Sequence, residues 1–252
     1  NSMADSLAVT EESRSSFVAN VSHEFRTPLT VISAPIAQMV NDQELTGETR
    51  HLLAIVQRSV NRMLRLVNQM MDFHKLEDDA LRLEVRRQDI IQVLKSSAEV
   101  FKLQAAEKKI ELNTYGMEDN YLLWVDADKI EKIIYNLLGN AVKYTPSGGR
   151  IDLTFDATPQ QIRFSVSDNG AGVPDDQKDK IFERYYQLRR QEQGQFNWGT
   201  GIGLYYAKSL VVLHHGTIGA ENRYENGTVS GARFFFSLPL SREAYTDDEL
   251  NP

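Results

Sequence analysis

Apolar residues recur at helical spacing through the first third of the chain. One stripe steps by three or four positions, at Val18, Val21, Phe25, Leu29, Ile32, Ile36 and Met39. A second stripe of the same kind follows at Val56, Val60, Met63, Val67 and Met70. The steps average about 3.5 residues, the period of a coiled coil, and polar turn residues separate the stripes. The pattern predicts a helical hairpin over residues 6–78.

Two helices of this length cannot bury both stripes between themselves. A four-helix bundle built from two chains is the simplest way to cover them, and the sequence therefore favours a homodimer. The alternative is a hairpin that packs on the rest of its own chain.

The remainder of the chain mixes two periodicities, which is typical of an α+β domain. Helical spacing covers residues 89–108, 126–144 and 201–214, and Asp126 stands where a helix N-cap is expected. Alternating or continuous apolar runs predict strands at 81–87, 110–115, 121–125, 151–155, 162–166, 216–222 and 231–238. The pattern predicts a mixed sheet with helices on one face, over residues 79–240.

Composition excludes several classes of function. The 252 residues include 28 Lys and Arg, 35 Asp and Glu, and no Cys, with a net charge of −7. An acidic chain has no general attraction for nucleic acid, and the lack of cysteine excludes disulfides and thiolate zinc sites. No apolar run approaches the roughly 20 residues that span a bilayer. We therefore expect a cytoplasmic piece.

One stretch of the first helix departs from ordinary helix chemistry. Pro28 stands inside the helix, where proline costs about 3 kcal/mol and kinks the chain. His23 lies off the apolar stripe, and Thr27 follows one turn later on the same face. An outward histidine beside a kink, next to Glu24, indicates a reactive imidazole rather than an incidental one.

Three polar clusters of the second part suggest a nucleotide site. Asn136, Asn140 and Lys143 share one side of a helix, and amide oxygens beside an ammonium suit Mg²⁺ and phosphate. Asp168 ends a strand and is followed by a glycine-rich turn. The glycines of 199–204 open a helix, where exposed N–H groups bind anions. A Rossmann interpretation of 199–204 is excluded because a polar loop, not a strand, precedes it.

In this order the motifs resemble those of a bacterial sensor histidine kinase of the two-component type. The resemblance runs from about Phe17 to Leu238, and the stretch through His214 and His215 is similar to that of hybrid sensors. Five boxes carry it: a phosphoacceptor box at 22–29, an asparagine box at 136–144, glycine boxes at 168–173 and 199–204, and a phenylalanine box at 181–185.

The resemblance implies a dimerisation and phosphotransfer domain followed by an ATP-binding α/β sandwich of the type found in DNA gyrase and heat-shock chaperones. By analogy, Asp168 reads adenine, Asn136 and Asn140 hold Mg²⁺, and Lys143 and Tyr144 line the phosphate and nucleoside side. The loop from 188 to 198 is then a lid over ATP. Further implied nucleotide-binding residues are Gly170, Gly172, Phe182, Thr200, Gly201, Gly203 and Leu204.

The implied reaction is autophosphorylation of His23 by ATP, followed by relay to an aspartate of a response-regulator receiver domain, fused or separate. Neutral His23 is the nucleophile near pH 7, and Glu24 fixes its tautomer. Glu24 and Thr27 also resemble a motif that positions water to dephosphorylate the receiver, an activity the sequence permits. The implied partners include no nucleic acid, and a membrane only through sensor segments outside this chain.

Two other functions compete with the kinase. A gyrase- or chaperone-type ATPase places a water-activating glutamate where this chain has Asn136, and an amide cannot act as that base. The other competitor is a dimerisation module that binds nucleotide without transferring phosphate. His51, His74, His214 and His215 lack the surroundings of His23 and are interpreted as surface or structural residues.

Overall fold

The computed structural model describes residues 25, 28–39, 46–77, 81–159, 161–188 and 201–250. The chain divides after Leu81 into two compact units. The first is helical, and the second combines helices with a mixed sheet, so the predicted α+β class is confirmed. None of the helices within the described ranges is long and apolar enough to cross a bilayer.

Among its described residues, the first unit contains two helices, as the apolar stripes predict. Helix α1 includes residues 28–39, and α2 runs over Gly47–Glu77. Thr46 begins α2: its carbonyl accepts the Arg50 N–H at 3.0 Å, and its hydroxyl accepts the Thr49 N–H at 3.4 Å. The Thr46 carbonyl therefore accepts the first hydrogen bond of the helix, and its hydroxyl satisfies one of the donors that a helix start leaves unpaired.

A polar contact joins the two helices in the middle of the hairpin. The Gln57 amide on α2 donates to the Ser33 hydroxyl on α1 at 2.9 Å and to Asn61 Oδ1 at 3.0 Å. Gln57 Oε1 is buried and makes no hydrogen bond within the described part of the chain. A partly satisfied polar layer in an apolar seam specifies how helices align at some cost in stability.

The hairpin leaves large apolar side chains in solvent. On α1 these are Val31, Ile32 and Met39, and on α2 they are Leu52, Ile55, Val56 and Met63. Several belong to the predicted stripes, so one hairpin covers only part of each stripe. Exposed apolar faces of this size mark an interaction surface.

The second unit contains the predicted helices and strands with small changes in their bounds, except for the strand predicted over 81–87. That prediction is wrong for residues 81–85, which have no regular structure, and the strand begins only at Arg86. Leu83 and Val85 are buried as their alternation indicates, but they pack against Tyr245. The strands of the second unit are β1 (Arg86–Asp89), β2 (Glu111–Tyr115), β3 (Leu122–Val125), β4 (Arg150–Ala157), β5 (Ile162–Asp168), β6 (Thr217–Glu225) and β7 (Thr228–Leu238). Its helices are α3 (Ile90–Glu107), α4 (Ala127–Tyr144), α5 (Gly203–Leu213) and the short α6 (Asp247–Leu250). Single 3-10 turns lie at Asp175–Gln177, Lys180–Phe182 and Arg242–Ala244.

Five strands form a mixed sheet in the order β2-β4-β5-β7-β6. Strands β2 and β4 are parallel, and the other neighbours are antiparallel. Strands β1 and β3 form a separate antiparallel pair. The centre of the sheet is aromatic. The ring of Phe164 on β5 stacks on that of Phe236 on β7, with centroids 4.6 Å apart, and its centroid lies 5.3 Å from that of Phe155 on β4.

Helix α4 packs its apolar side into the core of the unit. Ile130, Ile133, Ile134, Leu137 and Leu138 are all essentially buried. Asp126 is the N-cap, as the sequence predicts, and its side chain accepts the Lys129 N–H at 3.1 Å. The apolar residues follow a helical period, so α4 keeps a polar side at Asn136, Asn140 and Lys143.

Buried charge and a buried imidazole join the start of α4 to the end of α5. The Asp126 carboxylate accepts the Glu84 N–H at 2.9 Å and forms an ion pair with Lys129. Burial raises the Asp126 pKa, but the Lys129 ammonium and two backbone N–H groups outweigh burial and hold it below its usual value. His214 is fully buried; its Nε2 accepts the Asp126 N–H at 3.3 Å, and its Nδ1–H donates to the Leu210 carbonyl at 2.8 Å.

The second unit continues past the predicted domain end at residue 240. Tyr245 is buried against Leu83 and Val85, with Trp124 and Leu250 packed beside them. The Val85 N–H donates to the Glu249 carbonyl at 2.8 Å. This segment contains the unpredicted helix α6, which has too few residues for a periodic pattern to be recognised.

We predict that His214 makes the second unit sensitive to acid. Burial lowers the pKa of His214 below 6.5, and Lys129 and His215 add to this while Asp126 and the Leu210 carbonyl oppose it. The unfolded chain therefore binds a proton first, so this contribution to stability is complete above pH 6.5 and decreases as pH falls towards the folded pKa. His214→Asn should lower the free energy of unfolding by about 1–3 kcal/mol at pH 7.5.

The same substitution should flatten the dependence of stability on pH between 7.5 and 5.5. Urea unfolding followed by tryptophan fluorescence measures this, because Trp124 and Trp198 both belong to the second unit. His51→Asn, at an exposed position of α2, is the control. A His214→Asn variant with the wild-type pH slope would contradict the prediction.

Candidate functional site

Two of the three predicted polar clusters approach each other at the end of β5, and the third lies against α4. An added Cβ at Gly170 would lie 2.7 Å from the Tyr144 carbonyl oxygen, so the turn after β5 touches the end of α4. An added Cβ at Gly203 would lie 2.7 Å from Asn136 Oδ1, so the start of α5 touches the polar side of α4. The chain therefore brings together residues that lie far apart in sequence.

Asp168 is the buried anchor of the site. The residue is only 4% exposed, although aspartate is rarely buried without partners. Its Oδ1 accepts the Gly170 N–H at 2.8 Å and the Ala232 N–H at 3.4 Å. These bonds fix the carboxylate at the end of the sheet, where a fixed acceptor can recognise a polar group of a ligand.

Gly231 makes the approach of β7 to Asp168 possible. Its φ is +142°, a conformation that favours glycine. An added Cβ would lie 1.9 Å from the Asp168 carbonyl oxygen. Even the smallest side chain at this position would push β7 away from the end of β5.

The polar side of α4 carries the predicted metal and phosphate ligands. Asn136 Nδ2 donates to the Lys132 carbonyl at 2.8 Å, which turns Oδ1 towards Gly203. Asn140, one turn later, is half-buried. Lys143 is exposed; its ammonium donates to the Tyr144 hydroxyl at 3.1 Å and lies 4.8 Å from the ring centroid.

The second glycine box begins α5, as predicted. Gly201 has φ of +70°, and its carbonyl accepts the Tyr185 N–H at 3.1 Å. This bond joins the two ends of a stretch that contains the predicted lid at 188–198. Residues 189–200 of that stretch lie outside the described residues. Thr200 is among them, whereas Gly203 and Leu204 form the first turn of α5.

Phe182 lies in the core of the unit. It is buried and meets Phe234 of β7 edge to face, with ring centroids 6.4 Å apart. Its assignment as a nucleotide-binding residue stays a prediction, because the described contact is with the core.

The predicted phosphoacceptor residues His23, Glu24 and Thr27 lie outside the described residues. Pro28 is described and is helical, at the start of the continuous part of α1. The roles of the three residues therefore stay predictions.

Asn222 of β6 is a site residue that sequence reasoning missed. Its amide bonds both polar backbone atoms of Val173, in the turn that follows Asp168. Because this contact depends on how β6 and β7 align, no local pattern could have indicated it.

The residues present fit a nucleoside polyphosphate with a hard cation. No group of three or more His, Cys, Asp or Glu within the described ranges could hold a metal by itself. Mg²⁺ commonly takes one or two protein oxygens together with phosphate oxygens and water, which suits Asn136 and Asn140. The Cβ-free positions Gly170 and Gly203 allow a ligand or neighbouring backbone to approach closely.

Comparison with known families gives two separate matches, one after the other along the chain. The family described as His Kinase A (phospho-acceptor) domain matches residues 13–79. The family described as histidine kinase-, DNA gyrase B- and HSP90-like ATPase matches residues 125–242. The matches lie on the helical unit and on the α/β unit respectively.

Similar proteins match most of this chain. Histidine kinase P4 of Formosa agariphila is 36% identical over 236 residues, covering 93% of this chain but only 17% of the relative. The structure of full-length ShkA in complex with AMPPNP has a TM-score of 0.68 at 31% identity and covers 90% of this chain and 46% of that one. The structure of histidine kinase ThkA in complex with the response regulator TrrA has a TM-score of 0.57 and covers 92% of this chain and 65% of that one. At 22% sequence identity, this similarity is one of fold.

We predict that Gly231→Ala displaces β7 from Asp168. The added methyl group must move backbone atoms rather than a flexible side chain, so the free energy of unfolding should fall by about 2–3 kcal/mol. Gly139→Ala is the matched control, because its Cβ would meet only the Phe101 ring at 3.8 Å within α4. This control should gain about 0.5–1 kcal/mol from better helix propensity. Urea unfolding followed by tryptophan fluorescence compares the two, and equal effects would contradict the prediction.

Proposed function

We propose the following function for this chain, starting from the premise that it belongs to the sensor histidine kinase family and is the catalytic core of such a kinase. The chain uses ATP to phosphorylate His23 and passes the phosphoryl group to an aspartate of a receiver domain. The observation that carries the proposal is the meeting of Asp168, the polar side of α4 and the start of α5 around Gly170 and Gly203.

ATP is the nucleotide that these residues suit best. The fixed Asp168 carboxylate accepts a hydrogen bond from the exocyclic amine of adenine, a donor that guanine lacks at that position. Lys143 and Tyr144 serve the phosphate and nucleoside side. Asn136 and Asn140 hold Mg²⁺, which would neutralise phosphate charge. The backbone and side chains completing the site are those of Gly170, Gly172, Phe182, Thr200, Gly201, Gly203 and Leu204.

In the proposed reaction, a neutral His23 ring nitrogen forms a bond to the γ-phosphorus while the bond to the bridging β–γ oxygen breaks, and ADP leaves. Glu24, the next residue, accepts a hydrogen bond from the N–H of the other ring nitrogen, which keeps the attacking nitrogen unprotonated, and it takes that proton as the N–P bond forms. Transfer of this kind depends on positioning and charge neutralisation rather than on covalent chemistry by the protein. The N–H groups at the start of α5 contribute to that neutralisation.

Phosphoryl transfer is favoured over simple ATP hydrolysis. Hydrolysis requires a general base for water, and the α4 position that carries a glutamate in gyrase-type ATPases is Asn136 here. The Asn136 amide is itself engaged with the Lys132 carbonyl, and an amide has no basic site near neutral pH.

A receiver domain is the proposed acceptor of the phosphoryl group. The likeness to a kinase solved with its response regulator supports this partner. The receiver is either fused or separate, and the chain spans only 17% of the length of its relative P4. Glu24 and Thr27 would position water for the reverse step, dephosphorylation of the receiver.

A second copy of the chain is the proposed partner of the helical unit. Its exposed apolar residues on α1 and α2 support a four-helix bundle made by two hairpins. Because ATP is available in the cytosol, we place this core on the cytoplasmic side of the cell.

The first experiment of the proposal is labelling with [γ-³²P]ATP and Mg²⁺. We expect an acid-labile, alkali-stable label on the wild-type chain, which EDTA abolishes. His23→Ala should reduce the label to background because it removes the nucleophile.

His51→Ala is the matched control, since His51 is an exposed histidine of the same helical unit. It should keep wild-type labelling. Undiminished label in His23→Ala would show that the phosphoacceptor is another residue.

The second experiment tests the dimer. Val56→Glu places a charge in the exposed stripe of α2 and should shift the mass in solution from that of a dimer to that of one 28.7-kDa chain. Sedimentation equilibrium at micromolar concentration measures the shift. Leu103→Glu, at an even more exposed apolar position on α3, should leave the dimer intact. A monomeric wild-type chain would contradict the proposed bundle.

A further inference from the structure

The turn after Asp168 is held at its start by the sheet. Asp168 Oδ1 accepts the Gly170 N–H at 2.8 Å, and Asn169 Oδ1 accepts the Arg150 N–H at 2.7 Å. These two bonds tie the first half of the turn to β5 and β4. The second half, from Gly172 onwards, needs a different support because it leaves the strand.

A single side chain of β6 supplies that support. Asn222 Oδ1 accepts the Val173 N–H at 2.8 Å, and Asn222 Nδ2 donates to the Val173 carbonyl at 2.7 Å. One amide therefore satisfies both polar backbone atoms of one residue, as a neighbouring strand would. Val173 is itself buried, so these groups would be costly to leave unpaired.

The glycine before Val173 allows the contact. Gly172 has φ of +70°, and an added Cβ would lie 2.8 Å from Asn222 Oδ1 and 2.4 Å from Val229. The turn therefore passes directly over the β6–β7 hairpin, with no space for a side chain between them.

The alignment of β6 and β7 joins the two halves of the turn. Asn222 is paired with Ala232 across the hairpin. The Ala232 N–H donates to Asp168 at 3.4 Å, and the Asn222 side chain holds Val173. One pair of residues thus contacts both ends of the turn that carries the proposed adenine-binding carboxylate.

We infer that Asn222 is a positioning residue for the nucleotide base. It fixes Val173, and its cross-strand partner Ala232 contacts Asp168. Asn222 thereby sets the position of the Asp168 carboxylate and, through it, the preference for adenine. The inference rests on the proposed function, because it takes Asp168 as the group that reads the base. The side-chain amide carries, on two neighbouring atoms, the donor and the acceptor that Val173 needs.

Asn222→Asp tests the inference with little change in shape. The carboxylate still accepts the Val173 N–H but repels the Val173 carbonyl, and Asp175, 3.4 Å from Asn222 Nδ2, adds further repulsion. Isothermal titration of the full chain with Mg²⁺ and either AMPPNP or GMPPNP measures both affinity and base preference. We expect affinity for AMPPNP to fall on the order of tenfold, and the AMPPNP-to-GMPPNP ratio to fall with it.

Asn113→Asp is the matched control on the opposite edge strand, β2. Asn113 also donates to carboxylates, to Glu111 at 3.1 Å and to Asp152 at 3.5 Å, so the same exchange introduces comparable repulsion away from the turn. Asn113→Asp should leave the AMPPNP-to-GMPPNP affinity ratio at the wild-type value. Thermal unfolding of both variants checks that they fold, and Asn222→Ala provides a second variant without added charge.

The outcomes separate the inference from the proposed function. If wild type binds AMPPNP and both Asn222 variants keep its affinity and base preference, the inference is overturned while the kinase proposal stands. An equal drop in base preference for Asn113→Asp would also overturn it, because the effect would then be general. If wild type binds no AMPPNP, the proposed function fails and the inference fails with it.

Discussion

The burial of the Asp168 carboxylate at the end of β5 is the constraint on which the rest of the site depends. A buried carboxylate must be hydrogen-bonded, and both the turn that follows Asp168 and β7 provide partners for it. Those partners require Gly231 to lack a side chain and β7 to align with β5. The position of one acidic oxygen therefore determines features of two strands and a turn.

Helix α4 connects this site to the stability of the unit. Its apolar side fills the core, and its polar side faces the turn after β5 and the start of α5. The beginning of the same helix is held by Asp126, Lys129 and His214, a buried cluster with satisfied hydrogen bonds. Because a rigid helix carries both sets of residues, the groups proposed to bind metal and phosphate are positioned by the packing of the core.

The helical unit, in contrast, does not bury its own apolar residues completely. Its stripes remain partly exposed, and the polar layer of Ser33, Gln57 and Asn61 lies where an apolar contact would be more stable. Both features are understandable if two hairpins complete one another, since polar layers specify alignment in helical bundles. The phosphoacceptor would then lie on an element whose packing depends on a second chain.

The sequence by itself determined the class of the fold, most elements and the motifs of the site. Period and capping residues identified α4 with its N-cap Asp126, and the pattern of apolar residues identified strands β4 and β5, because these signals are local. Only the tertiary structure decided that Asn222 bonds the backbone of Val173 and that Gly231 leaves space for the backbone of Asp168. It also decided that residues 241–250 pack in the second unit. These contacts depend on the alignment of strands and on packing between distant segments, which no local pattern of residue types encodes.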